Sequence, residues 1–322
     1  MLSSLKFILK SQLKRQSDHP GGFTLIELLV ALIMAALIIT PVLGFMINFL
    51  QTDRREQAKT TTEQDIQSAL DYMAQDMQQA VYIYNEEALT SINPDGIKGA
   101  LDTALKCPND ADSCQPILVF WKRRFLAKDD VLSGTIVGTK TNENDTFVYS
   151  LVAYSLVDTE QNINNLWSPS ARIVRYELRD ALDFNQDGTD EIAPDPAGFQ
   201  PFNLDGKGSL TLKMNQWNTP GGEQEGATLI DYIDEPDEPD SNAPVVNCKV
   251  GEQRIPDDST VNSFVVCMNL LNPSIPTARV YLRGNALARI PILQNEDYDD
   301  KYSTFFPTSS ILVRGNGFLF TQ

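Results

Sequence analysis

The chain has 322 residues, 42% of them hydrophobic, with 43 acidic against 26 basic residues and a formal charge of −17. That composition suits one sizeable folded core and argues against a disordered chain. It also argues against nucleic acid as a partner, because a phosphate backbone needs a basic patch, and the only Lys/Arg clusters beyond residue 22 are Arg54-Arg55 and Lys122-Arg123-Arg124, which read as solvated or juxtamembrane charges.

Lys6, Lys10, Lys14 and Arg15 precede Gly21-Gly22, and an apolar run follows. From Phe23 to Leu50 it holds one charged residue, Glu27. As a helix rising about 1.5 Å per residue it would be on the order of 40 Å long, enough to cross roughly 30 Å of hydrocarbon. A secretory signal has a shorter apolar region, no internal Glu and a cleavage site after that region, so here the expected cut lies before the run. The basic segment should stay cytoplasmic and the remainder face outward. Pro41, with Gly44 close behind, predicts a kink or local melting over 38–44.

The string GGFTLIELLVAL, residues 21–32, resembles the prepilin leader junction of type IV pilins and pseudopilins. The resemblance implies that a prepilin peptidase cuts between Gly22 and Phe23, methylates the new amino group of Phe23, and leaves Glu27 fifth in the mature chain. It implies further that Glu27 meets the N-terminal ammonium of a neighbouring subunit. Stacking with other pilins would then relieve a carboxylate that costs about 2.5–3.5 kcal/mol in lipid on insertion scales. The alternative leaves Glu27 satisfied by the helix dipole alone. Residues 1–22 hold four basic residues and one acidic one, so their removal shifts the charge from −17 to −20. Removal also takes away the single histidine, His19, and with it Ser-His-Asp, Cys-His and HExxH chemistry. A glycosidase-like carboxylate pair stays open, with nothing in the sequence to select one.

Residues 51–85 continue as an amphipathic helix. Ile66, Ala69, Leu70, Met73, Met77, Ala80, Val81 and Tyr84 follow three-and-four spacing, whereas Asp65, Asp71 and Asp76 are expected on the outer face. The phrase TTTEQDIQSALDYMAQDMQQAVYIY resembles the helix of J-type minor pseudopilins and large minor pilins. ILVFWKRRFL (117–126), FVYSLVAYSL (147–156) and ARIVRYELRD (171–180) resemble the cyanobacterial pseudopilins linked to hormogonium polysaccharide secretion, most of all the larger C member of that set. The tail is similar only in character, through ARVYLRGNALAR (278–289).

Residues 91–116 read as an irregular connection. Strands are predicted at 117–125, 146–157, 171–179, 208–214, 245–250, 261–270, 278–283 and 310–320 from β-branched and aromatic content. The expected class is α+β and pilin-like, a long N-terminal helix packed on an antiparallel sheet. The organisation is then a cleaved leader (1–22), a transmembrane half-helix (23–50), an amphipathic half-helix (51–85) and an exported β-rich domain with acidic loops (86–322).

Export permits disulfides, and four cysteines allow three pairings. Locality favours Cys107–Cys114, closing CPNDADSC, and Cys248–Cys267, tying two candidate strands across a turn. DFNQDGTDE, residues 183–191, matches the front half of a calcium loop through Asp183, Asn185, Asp187, Gly188 and Glu191. Pro194 stands where an EF-hand places its bidentate Glu, so Asp190, Asp195 or distant oxygens would have to complete the shell. The same segment also reads as an acidic Asx-turn loop. The run DYIDEPDEPD, 231–240, reads as an extended surface loop, with docking to a basic partner or a cation-bridged polysaccharide as the functional alternative.

The leading reading is a non-enzymatic minor pseudopilin in the inner membrane. It passes the membrane once, with its C-terminal domain in the periplasm, and enters a pilus-like fibre that supports polysaccharide secretion and gliding motility. Its partners would be prepilin peptidase, other pilins, an assembly platform and its ATPase. Calcium is the one candidate cofactor. A pilin-anchored polysaccharide-binding adhesin and a membrane-anchored carboxylate hydrolase are the competing classes.

Overall fold

The computed structural model describes residues 23–317, apart from 110, 112, 133–134, 140, 142, 159–165, 181–193, 206, 220–221, 237–241, 272–274 and 291–297. The chain divides into two compact units, Met1–Arg54 and Arg55–Gln322.

Helix α1, Leu25–Gln78, starts where Thr24 caps it. The Glu27 N–H donates to Thr24 Oγ1 at 3.3 Å and the Leu28 N–H to the Thr24 carbonyl at 3.1 Å, satisfying donors that a first turn leaves open. Within the first unit the helix runs through Pro41 without a break, so the expected melting over 38–44 does not occur. Proline removes a single backbone donor, and beside it Thr40 Oγ1 donates to the Ala36 carbonyl at 2.8 Å. Every residue from Phe23 to Leu50 is exposed, and among the described residues α1 is the one helix long and apolar enough to cross a membrane.

In the second unit the remaining part of α1 buries Thr62, Ile66, Ala69, Met73 and Asp76 at three-and-four spacing. Asp76 therefore lies on the inner face, against expectation. The helix ends at Gln78 rather than 85, because Ala80–Ile83 forms strand β1. Its Ala-Val-Tyr-Ile sequence carries strand formers, and the edge of the neighbouring sheet offers them a ladder. Helix α2 (Glu86–Thr90) follows β1, and within the expected irregular connection helix α3 (Lys98–Ala104) and strand β2 (Leu105–Lys106) form over 98–106. Next come β3 (Ser113–Leu126), β4 (Val131–Leu132), β5 (Thr135–Ile136), β6 (Thr146–Asp158) and β7 (Ala171–Arg179). Helix α4 (Leu210–Met214) precedes β8 (Gln224–Glu225), β9 (Ala227–Ile233), β10 (Glu252–Ile255), β11 (Phe264–Asn269), β12 (Thr277–Arg283) and β13 (Thr308–Arg314).

Two antiparallel sheets dominate, in the orders β1-β3-β6-β7-β9 and β10-β11-β12-β13. The short β2–β8 pair is parallel. Two predicted strands are absent. Residues 208–214 hold α4, capped by Ser209, whose hydroxyl accepts from the Leu212 N–H at 3.3 Å. Over 245–250 side chains take the backbone donors, Asn262 Oδ1 from Val246 N–H at 3.1 Å and Glu252 Oε2 from Lys249 N–H at 3.0 Å, and the strand forms at β10 instead.

Register fixes the faces of the larger sheet. Phe120 and Lys122 on β3, Val152 and Tyr154 on β6, and Arg175 and Glu177 on β7 share the side that meets α1. Trp121 looks the other way and packs on Phe199 and Phe202 with ring centroids 5.9 and 4.8 Å apart. With both faces covered, β6 is buried continuously from Ser150 to Val157. The smaller sheet joins the same core through Phe264, Val266, Val280 and Leu282. At Gly284, α1 passes so close that a Cβ would lie 2.5 Å from Thr62 Cγ2 and 2.8 Å from Ile66 Cδ1.

Candidate functional site

In the first unit, Phe23 is exposed just before the helix and Glu27 is the third residue of α1. Thr24 and Glu27 have capping-box spacing, and the half of that box in which the Thr24 hydroxyl accepts is formed. The helix N-terminus favours a carboxylate at this position. The Glu27 side chain has no ion-pair partner among the described residues. It stands on a helix whose surroundings are otherwise Leu, Ile, Val, Ala and Met side chains, all exposed. Gly22 lies outside the described residues.

The second unit contains an ion cluster, with Asp76 and Lys122 buried and Arg175 and Glu177 half-buried, that sequence reasoning missed. Asp76 accepts from Lys122 Nζ at 2.9 Å, Arg175 Nε at 2.7 Å and the Tyr154 hydroxyl at 2.7 Å. Glu177 closes the ring: Arg175 donates to Oε2 at 2.9 Å, and Lys122 Nζ stands 3.1 Å from Oε1 as an ion pair outside hydrogen-bond geometry. Burial pushes the Asp76 carboxyl up, but the hydrogen bond from Arg175 and the charges of Lys122 and Arg175 outweigh it and hold the pKa below the ordinary 3.8. Glu177 is likewise raised by burial and more strongly lowered by Lys122 and Arg175, ending below 4.5. Burial and then the adjacent Asp76 raise the Tyr154 phenol.

Two carboxylates kept ionised by cations suit a structural clamp between α1 and the sheet rather than a proton donor. Lys122 is thus a buried partner of Asp76, not the solvated charge expected from KRR. A signal was present: Asp76 follows the spacing of Thr62, Ile66, Ala69 and Met73, and Arg175 and Glu177 alternate on one face of a strand.

The calcium candidates Asp183, Asn185, Asp187 and Glu191, with Gly188 and Asp190, lie outside the described residues. Asp195, named as a substitute ligand, is described and forms an ion pair with Arg179, reinforced by two backbone hydrogen bonds between the same residues. The acidic run is not a loop throughout. Asp231 to Ile233 belong to β9, and Asp231 accepts from the Ser168 N–H at 2.9 Å and from its hydroxyl at 2.6 Å. Asp234 is buried against Arg283 Nε at 2.6 Å, while 237–240 lie outside the described residues. Composition placed these acids in solvent, but the end of β9 brings Ser168 to Asp231 and Arg283 to Asp234.

Both disulfides pair as locality suggests, Cys107–Cys114 and Cys248–Cys267, with Cα separations of 6.0 and 5.4 Å. Cys248 precedes β10 instead of lying on a strand.

The prokaryotic N-terminal methylation motif matches residues 19–43. This match covers the junction, Phe23, Glu27 and the first part of α1, and it supports a type IV pilin-like subunit that is processed by a prepilin peptidase and assembles with other pilins. Neither the curated proteins nor the solved structures contain a match to this chain.

Proposed function

We propose that the protein is a minor pseudopilin, a structural subunit of a type IV pilus-like or type II secretion-like apparatus. The observation that carries this reading is a Thr24-capped, exposed apolar helix that bears one carboxylate, Glu27, inside a methylation motif. Cleavage after Gly22 creates an ammonium at Phe23. In the assembled fibre the Glu27 of one subunit neutralises the Phe23 ammonium of its neighbour, and each removes the other's desolvation cost. The second unit is then exported to the periplasmic side. The likeness of residues 117–126, 147–156 and 171–180 to the hormogonium pseudopilins supports a role in polysaccharide secretion and gliding motility.

Glu27→Ala tests the mechanism. Cleavage at Gly22 and membrane insertion are expected to continue, while incorporation into fibres and polymer output fall by at least about tenfold, read by immunoblot of sheared fibres and by assay of secreted polymer. Unchanged incorporation would remove the role assigned to Glu27.

A further inference from the structure

A groove of about 760 Å³ opens in the second unit between the segment leading into α3 and residues 200–218. Its polar lining consists of Asn93, Gln200, Asn203, Gln216 and Asn218, and no charged side chain lines it, although 21% of the chain is charged. Asn203 Oδ1 accepts from the Asp205 N–H at 2.8 Å. The side-chain amides of Asn93, Gln200, Gln216 and Asn218 make no hydrogen bond among the described residues.

The frame under these amides is fixed. The Gln200 N–H donates to the Asn218 carbonyl at 2.8 Å, and the reverse bond is 3.0 Å. Between Gln216 and Asn218, Trp217 is buried against Phe199 and Trp121, with ring centroids 6.1 and 6.5 Å away. Ile92, 69% exposed, and Pro201 add apolar surface to the lining.

We propose that this groove binds a neutral glycan. A primary amide offers two donors and an acceptor, which matches vicinal hydroxyls that both donate and accept, and the apolar lining residues suit the C–H face of a sugar ring. A charged ligand would find no counter-charge in the lining, and an anionic polymer would also meet the field of a chain at −17. The packed aromatic floor holds the site in place before binding, which lowers the ordering cost.

The proposal rests on the second unit being exported, as proposed above. Binding is measured on purified protein, however, so its failure would leave cleavage and assembly untouched, and a failure of assembly would leave binding untouched. The full chain, in a detergent without a sugar headgroup, is applied to an array of neutral glucose, galactose, mannose, xylose and fucose polymers, with polyuronates and sulfated glycans as charged controls. At least one neutral glycan should bind, and the Gln216→Glu/Asn218→Asp double variant should weaken that binding by at least about tenfold at an unchanged melting temperature. If the double variant melts early, Gln200→Ala and Asn218→Ala replace it, each expected to weaken binding by about threefold. No binding to any neutral glycan, binding to the charged controls only, or binding indifferent to these substitutions would overturn the proposal.

Discussion

Two carboxylates on α1 are treated in opposite ways. Asp76, in the second unit, lies in the core and receives Lys122, Arg175 and Tyr154. Glu27, in the first unit, sits on an exposed apolar surface with no ion-pair partner among the described residues. A charge in a low-dielectric setting must be paired or it is costly. Asp76 is paired within its own chain, so its charge contributes to the fold. In the proposed fibre Glu27 is paired only between chains, so its charge would act on assembly instead.

Substitutions can break this contrast. The largest effect is expected from Asp76→Ala, which leaves the buried Lys122 and the half-buried Arg175 with Glu177 as their one shared counter-ion among the described residues. Urea unfolding should show a loss of about 3–5 kcal/mol. A loss below about 1 kcal/mol would mean that the cluster does not clamp α1 to the sheet.

The two halves of α1 also differ in what surrounds the glycines near them. Gly284→Ala should cost about 1–3 kcal/mol, because its new Cβ would be pressed against Thr62 and Ile66 of the helix. Gly44→Ala meets nothing within 4 Å and replaces a poor helix former, so the same substitution there should favour the helix by up to about 1 kcal/mol. Equal effects at the two sites, in unfolding and in helix content by circular dichroism, would erase the distinction.

The smallest effect is the pH response of the cluster. Asp76 and Glu177 have native pKa values below their ordinary 3.8 and 4.5, so the unfolded chain binds more protons as pH falls. Their contribution is complete above about pH 4.5 and is lost as pH drops through the lower native values. Melting temperature should therefore fall with acidification from about pH 4.5 toward 3, with a shallower slope in Asp76→Asn. A slope unaltered by that substitution would place the acid sensitivity elsewhere.

What could be read from the sequence divides along the same line. The apolar stem, Glu27 and strand β7 over 171–179 were legible because each depends on local pattern: an uncharged run, a junction motif, and β-branched content without breaks. The disulfides were legible because each closes a short segment. Of the Asp76 cluster, spacing carries the inward face of Asp76 and the shared face of Arg175 and Glu177, but not their pairing with Lys122, because β3 and β7 come to flank β6 only in the folded sheet. Residues 245–250 have the composition of a strand, yet Asn262 and Glu252 capture their backbone donors, a competition that strand propensity does not contain. The amide groove was equally hidden, since Asn93 and Asn218 are brought together only by tertiary packing.

The most direct measurement is the intact mass and N-terminal peptide of the protein recovered from membranes of cells with an active prepilin peptidase. The expected species begins at Phe23, carries one added methyl group on its amino nitrogen and lacks residues 1–22. Recovery of the chain with the basic segment still joined through Gly22 to Phe23 would contradict the assignment, because no terminal ammonium would then exist for Glu27 of a neighbouring subunit to meet.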